Sequence, residues 1–212
     1  MSKHEVESTV PSEMIQPRGW PEYFATSNKH KFDEVRKILG TEDLKMIDID
    51  LPESQSLDVA EVVAEKARAA YELTGKSVLV EDTGLECKAW NGKKGSLPGA
   101  LIKWFMKTVG NEGIVRMMSP FRDRRAEATT AFGYADSTGS VHVFVGSISG
   151  QIPETVQDGP HGFGWDAIFI PDGYNESFAQ LPPDQKNDIS MRKLALDAMK
   201  TWIEAGAVQT KK

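Results

Sequence analysis

Apolar residues in this chain fall into short runs that alternate with longer amphipathic stretches. Tyr23–Thr26 reads as a short strand. Phe32, Val35, Ile38 and Leu39 follow at helical spacing until Gly40 stops the helix. LKMIDIDL (44–51) alternates in polarity and reads as a strand. DVAEVVAEKARAAYEL (58–73) is a strong helical pattern, capped by Asp58 and ended near Gly75. SVLVEDTG (77–84) reads as a buried strand running into a turn. PGALIKWFMKTV (98–109) is helical, with Pro98 suited to a helix start. The runs 127–136 and 141–150 flank Ser137-Thr138-Gly139 as a hairpin, and 188–203 form a final helix. Strand–helix alternation followed by a hairpin predicts an α/β domain with a mixed sheet, and no internal repeat is visible.

Residues 1–19 are polar, proline-punctuated and aperiodic, which predicts a flexible N-terminal extension. Residues 205–212 read as a flexible C-terminal tail, leaving one folded domain over 20–204. A chain of 212 residues with 40% apolar content can bury one core. The net charge of -6 argues against a general nucleic-acid binder but leaves room for a local basic pocket. Cys87 is the one cysteine, so no intramolecular disulfide exists, and it has no evident histidine partner for nucleophilic work. No apolar run is long enough to cross a bilayer and no apolar signal core is visible. The expected location is the cytoplasm, with no membrane partner.

Four stretches carry candidate chemistry. In YFATSNKHKFDEV (23–35) an apolar stub passes through Thr26-Ser27-Asn28 into a helix whose first turn carries Lys29, His30 and Lys31. Cations are the wrong sign for the positive end of a helix dipole, unless an anion sits there. The unpaired amides of a helix start bind anions such as phosphate, with Thr26, Ser27 and Asn28 adding contacts. The alternative is ordinary capping by Ser27 or Asn28, with solvated lysines. DIDLPES (48–54) places acidic residues before a proline turn. VLVEDTGLE (78–86) sets Glu81 and Asp82 at the end of a run that should be buried. Adjacent carboxylates there are costly unless solvated, paired or bound to a hard cation such as Mg²⁺. In DGPHGFGWDAIFIPDGY (158–174), Phe163 and Trp165 offer stacking surfaces and Asp166 an acceptor. Taken singly, either aromatic residue reads as core packing. Lys186 and Arg192 add two cations near a helix start.

Together, in the order T-S-N-x-x-K, D-L-P-E, V-E-D-T-G-L, L-P-G, F-G-W-D and K-N-x-x-S-x-R, these stretches resemble the inosine triphosphate pyrophosphatase family, also called the Ham1 family, from about Tyr23 to Ile203. The resemblance implies an elongated α/β fold with a long mixed central sheet flanked by helices, and two lobes with the nucleotide in the cleft between them. It implies hydrolysis of the unusual purine nucleotides ITP, dITP and XTP to the monophosphate and pyrophosphate, and usually a homodimer. Thr26, Ser27, Asn28 and Lys31 would contact phosphate. Glu53 and Asp82 would hold Mg²⁺, with Mn²⁺ as a substitute, and Asp82 or Glu81 would orient and deprotonate the attacking water. Lys66, Thr83 and Lys103 fall on substrate-contact positions. Phe163, Gly164, Trp165 and Asp166 would wall the base pocket, and Lys186 and Arg192 would close over the nucleotide.

Two departures stand out. The family pattern ends in S-H-R, whereas this chain reads Ser190-Met191-Arg192, so Met191 stands where a histidine faces the purine 6-position. The KKGS insertion at 93–96 precedes Leu97-Pro98-Gly99. Two alternatives follow: a related triphosphate pyrophosphatase with a relaxed or shifted base preference, and a nucleotide-sensing module without turnover. Retention of Glu53, Glu81, Asp82 and Lys31 speaks against the second.

Overall fold

The computed structural model of the chain describes residues 19–52, 54–92 and 95–209. Most of the expected N-terminal extension, Glu53, and Lys93-Lys94 of the insertion lie outside the described residues. The elements in chain order are β1 (Tyr23–Ala25), α1 (Lys29–Leu39), β2 (Lys45–Ile47), α2 (Val59–Thr74), β3 (Val78–Gly92), β4 (Gly95–Gly99), α3 (Ile102–Thr108) and α4 (Gly110–Met118). They continue with β5 (Arg125–Ala135), β6 (Val141–Gln151), β7 (Ile170–Pro171), α5 (Pro183–Ile189) and α6 (Met191–Gln209). Seven strands form one sheet in the order β2-β1-β3-β5-β6-β7, with β4 paired to β3. β1 runs parallel to β2 and β3, and the remaining pairs are antiparallel, so the sheet is mixed as expected.

Alternation along β3 divides the core. Val78 and Val80 pack with Val59, Val63, Ala67 and Ala70 of α2. Leu79 packs on the other face with Val35 of α1 and Ala195, Leu196 and Met199 of α6. A third cluster gathers Leu85, Cys87, Ile102, Ile114, Trp165, Phe169 and Phe178 around the far end of β3. Two glycines set how closely the helices approach. A Cβ on Gly133 would lie 2.3 Å from the Val63 carbonyl oxygen, and one on Gly146 would lie 2.2 Å from that of Met191. α2 and the first turn of α6 therefore rest directly on the strands.

Several boundaries differ from the pattern reading. Thr83-Gly84 suggests a turn by residue type, but β3 pairs with β5 in unbroken register from Val78 to Cys87. Glu81 and Asp82 thus sit inside a long strand, not at its end. Pro98 belongs to β4 rather than to a helix start, and α3 begins only at Ile102. LKMIDIDL contributes three strand residues, because β2 pairs only with the three of β1. The final helix is two: α5 ends where Ser190 turns extended (ψ 152°), and α6 then runs through Gln209. Part of the expected 205–212 tail is therefore helical, and residues 210–212 lie outside the described residues. The hairpin closes as expected, with Asp136 Oδ1 accepting from the Thr138 and Ser140 amides.

Candidate active site

The three basic residues at the start of α1 take three different roles. Asn28 is the cap: its Oδ1 accepts from the Lys31 amide at 3.2 Å, and Thr26 Oγ1 accepts from the Asn28 amide at 3.1 Å. Lys29 points into solvent and pairs with Asp33 one turn on. Lys31 turns inward, its Nζ 3.2 Å from Thr83 Oγ1 and 3.5 Å from Glu81 Oε2. His30 does neither; its ring stacks on Phe163.

On β3 the two adjacent carboxylates meet different partners. Asp82 Oδ1 accepts from the Thr83 amide at 2.8 Å, and its Oδ2 pairs with Lys66 of α2 at 3.2 Å. Glu81 Oε1 accepts from Arg192 Nη2 at 2.8 Å and from Thr83 Oγ1 at 2.9 Å. The Glu81 and Arg192 side chains are 1% and 2% exposed, so neither charge survives there alone. Burial by itself would raise the Glu81 carboxyl, but Arg192 and Lys31 overcome that and hold it down to about 2.

The pairing continues outward. Arg192 Nη1 bonds Glu34 Oε2, Glu34 Oε1 accepts from Lys186 Nζ at 2.9 Å, and Lys186 also bonds Asp166 Oδ2 at 2.7 Å. Asp166 Oδ2 further accepts from the Phe163 amide at 2.9 Å, which ties the F-G-W-D loop to the network. Asp166, Lys186, Glu34, Arg192, Glu81 and Lys31 thus alternate in sign across α1, β3, α5, α6 and the loop. Buried charges in such a chain hold one another in place, because loss of any member leaves a neighbour uncompensated.

One cavity of about 680 Å³ joins these parts. Of the residues singled out in the sequence, Thr26, Ser27, Asn28, Lys31, Lys66, Glu81, Asp82, Thr83, Lys103, Phe163, Gly164, Trp165, Asp166, Met191 and Arg192 all line it. Lys186 is not in its wall and acts through Asp166 and Glu34. Glu53 lies outside the described residues. Trp165 is largely core, 8% exposed and edge-on to Phe169, so the aromatic loop serves both packing and cavity. Cys87 is buried on β3, and burial pushes its thiol up to about 12, which removes it as a nucleophile.

Sequence reasoning missed Glu34, which bridges the two deepest cations. On α1 it flanks the apolar stripe, one residue before Val35 and one turn before Ile38, and a carboxylate at that edge was the available signal. It also missed Asp48 and Asp50, which line the cavity, and Asn111, whose Nδ2 donates to the Gly164 carbonyl at 3.1 Å.

Comparison with known proteins bears on family and fold. A model of the Ham1 family matches residues 23–202. The inosine triphosphate pyrophosphatase of Schizosaccharomyces pombe is 42% identical over 184 residues, covering 86% of this chain and 94% of that protein. The dITP/XTP pyrophosphatase of Methanopyrus kandleri is 38% identical over 85% of this chain and 95% of its own length. Among solved structures, a HAM1 protein from Coxiella burnetii superposes with a TM-score of 0.74 at 25% identity, covering 86% of this chain and 98% of that one. A match spanning every element from β1 to α6, on a fold whose cavity gathers the motif residues, places this chain in the Ham1 family.

Proposed function

We propose that this protein hydrolyses ITP, dITP and XTP to the monophosphate and pyrophosphate. One and the same cavity is lined by the start of α1 with Lys31, Lys66 and Lys103, and by the F-G-W-D loop with Arg192. The first set suits a triphosphate and the second a purine. The names of the relatives, inosine triphosphate and dITP/XTP pyrophosphatases, support the same reading.

In the proposed reaction the triphosphate rests on the amides of α1 and on Lys31 and Lys66. Water bonds to the α-phosphorus, the bridging bond to the β-phosphate breaks, and pyrophosphate leaves with the electron pair. Asp82 orients the water and takes its proton; its side chain is 23% exposed and meets the cavity. Glu81 is engaged by Arg192, Lys31 and Thr83, so its part is to fix those cations. No nucleophilic side chain is required.

The site fits Mg²⁺, or Mn²⁺ in its place. Asp50 and Asp82 offer hard oxygen donors in the same cavity, and buried Glu81 Oε2 accepts no hydrogen bond among the described residues, its nearest charged partner being the Lys31 ammonium at 3.5 Å. Among those residues no three ligands converge into a closed cage, as suits an ion that binds through one or two carboxylates plus substrate phosphates. Asp82, with Glu53 as the resemblance implies, would hold it, and it would neutralise charge on the departing pyrophosphate.

Base choice rests on Arg192, a pure donor, which suits the 6-oxo acceptor of hypoxanthine or xanthine and opposes the 6-amino group of adenine. Met191 is 2% exposed in the cavity wall and supplies no donor, which narrows the margin over ATP without changing the substrate class. We further propose a cytoplasmic homodimer. Among the described residues no helix is long and apolar enough to cross a membrane, and Val143 and Val145 leave an apolar strip exposed on β6. Pyrophosphate release across a nucleotide panel tests the reading. ITP and XTP should exceed ATP by orders of magnitude, and an ATP rate equal to that of ITP would refute the base assignment.

A further inference from the structure

Phe163, in the cavity wall, is held by three partners. Its amide is fixed by Asp166 and its ring lies 4.5 Å from Lys186 Nζ, but its ring face is covered by His30 of α1. The two rings stack with centroids 5.3 Å apart and planes 13° from parallel. Phe163 lines the cavity and His30 does not, so the histidine backs the phenylalanine from outside. His30 is exposed and belongs to the first turn of α1, next to the inward-turned Lys31. The stack is therefore a direct bridge between the helix start that suits a triphosphate and the loop that suits a base.

We infer that His30 is a positioning residue for the nucleobase: its ring holds Phe163 in the orientation that the base meets, without touching the nucleotide through its own side chain. This rests on the nucleotide reading above. A half-buried phenylalanine without its backing ring samples other rotamers, and the ligand must then order it on binding. Aromatic pairs of this geometry are worth enough to shift an affinity about threefold to tenfold. The loss should fall on ligands that carry a base and spare those that carry only phosphate.

Three proteins decide the matter: wild type, His30→Ala and His30→Phe. Each is assayed for KM and kcat with ITP, and for inhibition by inorganic tripolyphosphate, which has the phosphates and no base. His30→Ala should raise KM for ITP about threefold to tenfold with tripolyphosphate inhibition unchanged, and His30→Phe should restore KM because a phenyl ring stacks as well. An unchanged KM for His30→Ala would overturn the inference. So would equal weakening of tripolyphosphate, or failure of His30→Phe to rescue, since both mean that the imidazole acts by charge or hydrogen bonding. If wild type itself releases no pyrophosphate from ITP, it is the nucleotide reading that fails, and the two failures are distinct.

Discussion

Replacing Glu34 by glutamine tests the buried charge chain at its centre. Each carboxylate oxygen of Glu34 serves one cation, Oε1 accepting from Lys186 and Oε2 from Arg192. Glutamine keeps the shape but turns one oxygen into an amide donor, which then faces a buried donor. Both cations are 2% exposed, so water cannot replace the lost partner. Breaking a fully buried pair costs about 3–5 kcal/mol. The Glu34 side chain is 16% exposed, and that partial solvation reduces the expected cost to about 2–4 kcal/mol. For a chain of this size each kcal/mol lowers Tm by about 2–4 °C, so a central loss of 3 kcal/mol means about 6–12 °C. Thermal unfolding followed by circular dichroism reads this directly. Lys29→Gln is the control, because its partner Asp33 lies on the exposed face of the same helix and the pair should contribute at most about 0.5 kcal/mol. Equal melting temperatures for Glu34→Gln and wild type would refute the claim that the network is held by mutual compensation.

Asp82→Asn should lower kcat at least about a hundredfold, roughly 3 kcal/mol of transition-state stabilisation, with an unchanged circular dichroism spectrum; near-wild-type turnover at saturating Mg²⁺ would remove Asp82 from the chemistry. Met191→His should raise the ratio of kcat/KM for ITP over ATP about fivefold or more by restoring a donor near the 6-position, gained mainly on ITP, and an unchanged ratio would show that position 191 does not read the base. Glu81 is held down to about 2 from an ordinary 4.5, so its contribution to stability is complete above pH 4.5 and fades as pH falls towards 2. Acid titration of wild type against Glu81→Gln should therefore show a steeper loss of stability in wild type within that window, and parallel curves would contradict the pairing.

Local signals located most of the site, because its motifs are backbone events as well as chemistry. Asn28 announces itself as a cap by residue type, and Asp58 does so for α2. The mixed sheet was legible from alternation and from the Asp136–Ser140 turn. What could not be read is what depends on partners distant in sequence. Glu81 looks like a solvated strand end until Arg192, 111 residues away, is seen to cover it. Thr83-Gly84 reads as a turn until β5 pairs across it. Lys29 and Lys31 are indistinguishable as letters, yet the helix sends one to solvent and the other to Glu81. Glu34 was missed for the same reason, since its two cations arrive from α5 and α6.

Attack of water on the α-phosphorus of a 6-oxo purine triphosphate leaves an isotopic signature in the products. ITP is turned over with Mg²⁺ in water enriched in heavy oxygen, and the products are separated and weighed by mass spectrometry. The label should appear in the nucleoside monophosphate, with unlabelled pyrophosphate as the only other product. Label in pyrophosphate would place the attack on the β-phosphorus, and release of orthophosphate by the pure protein would place it on the γ; either result contradicts the account.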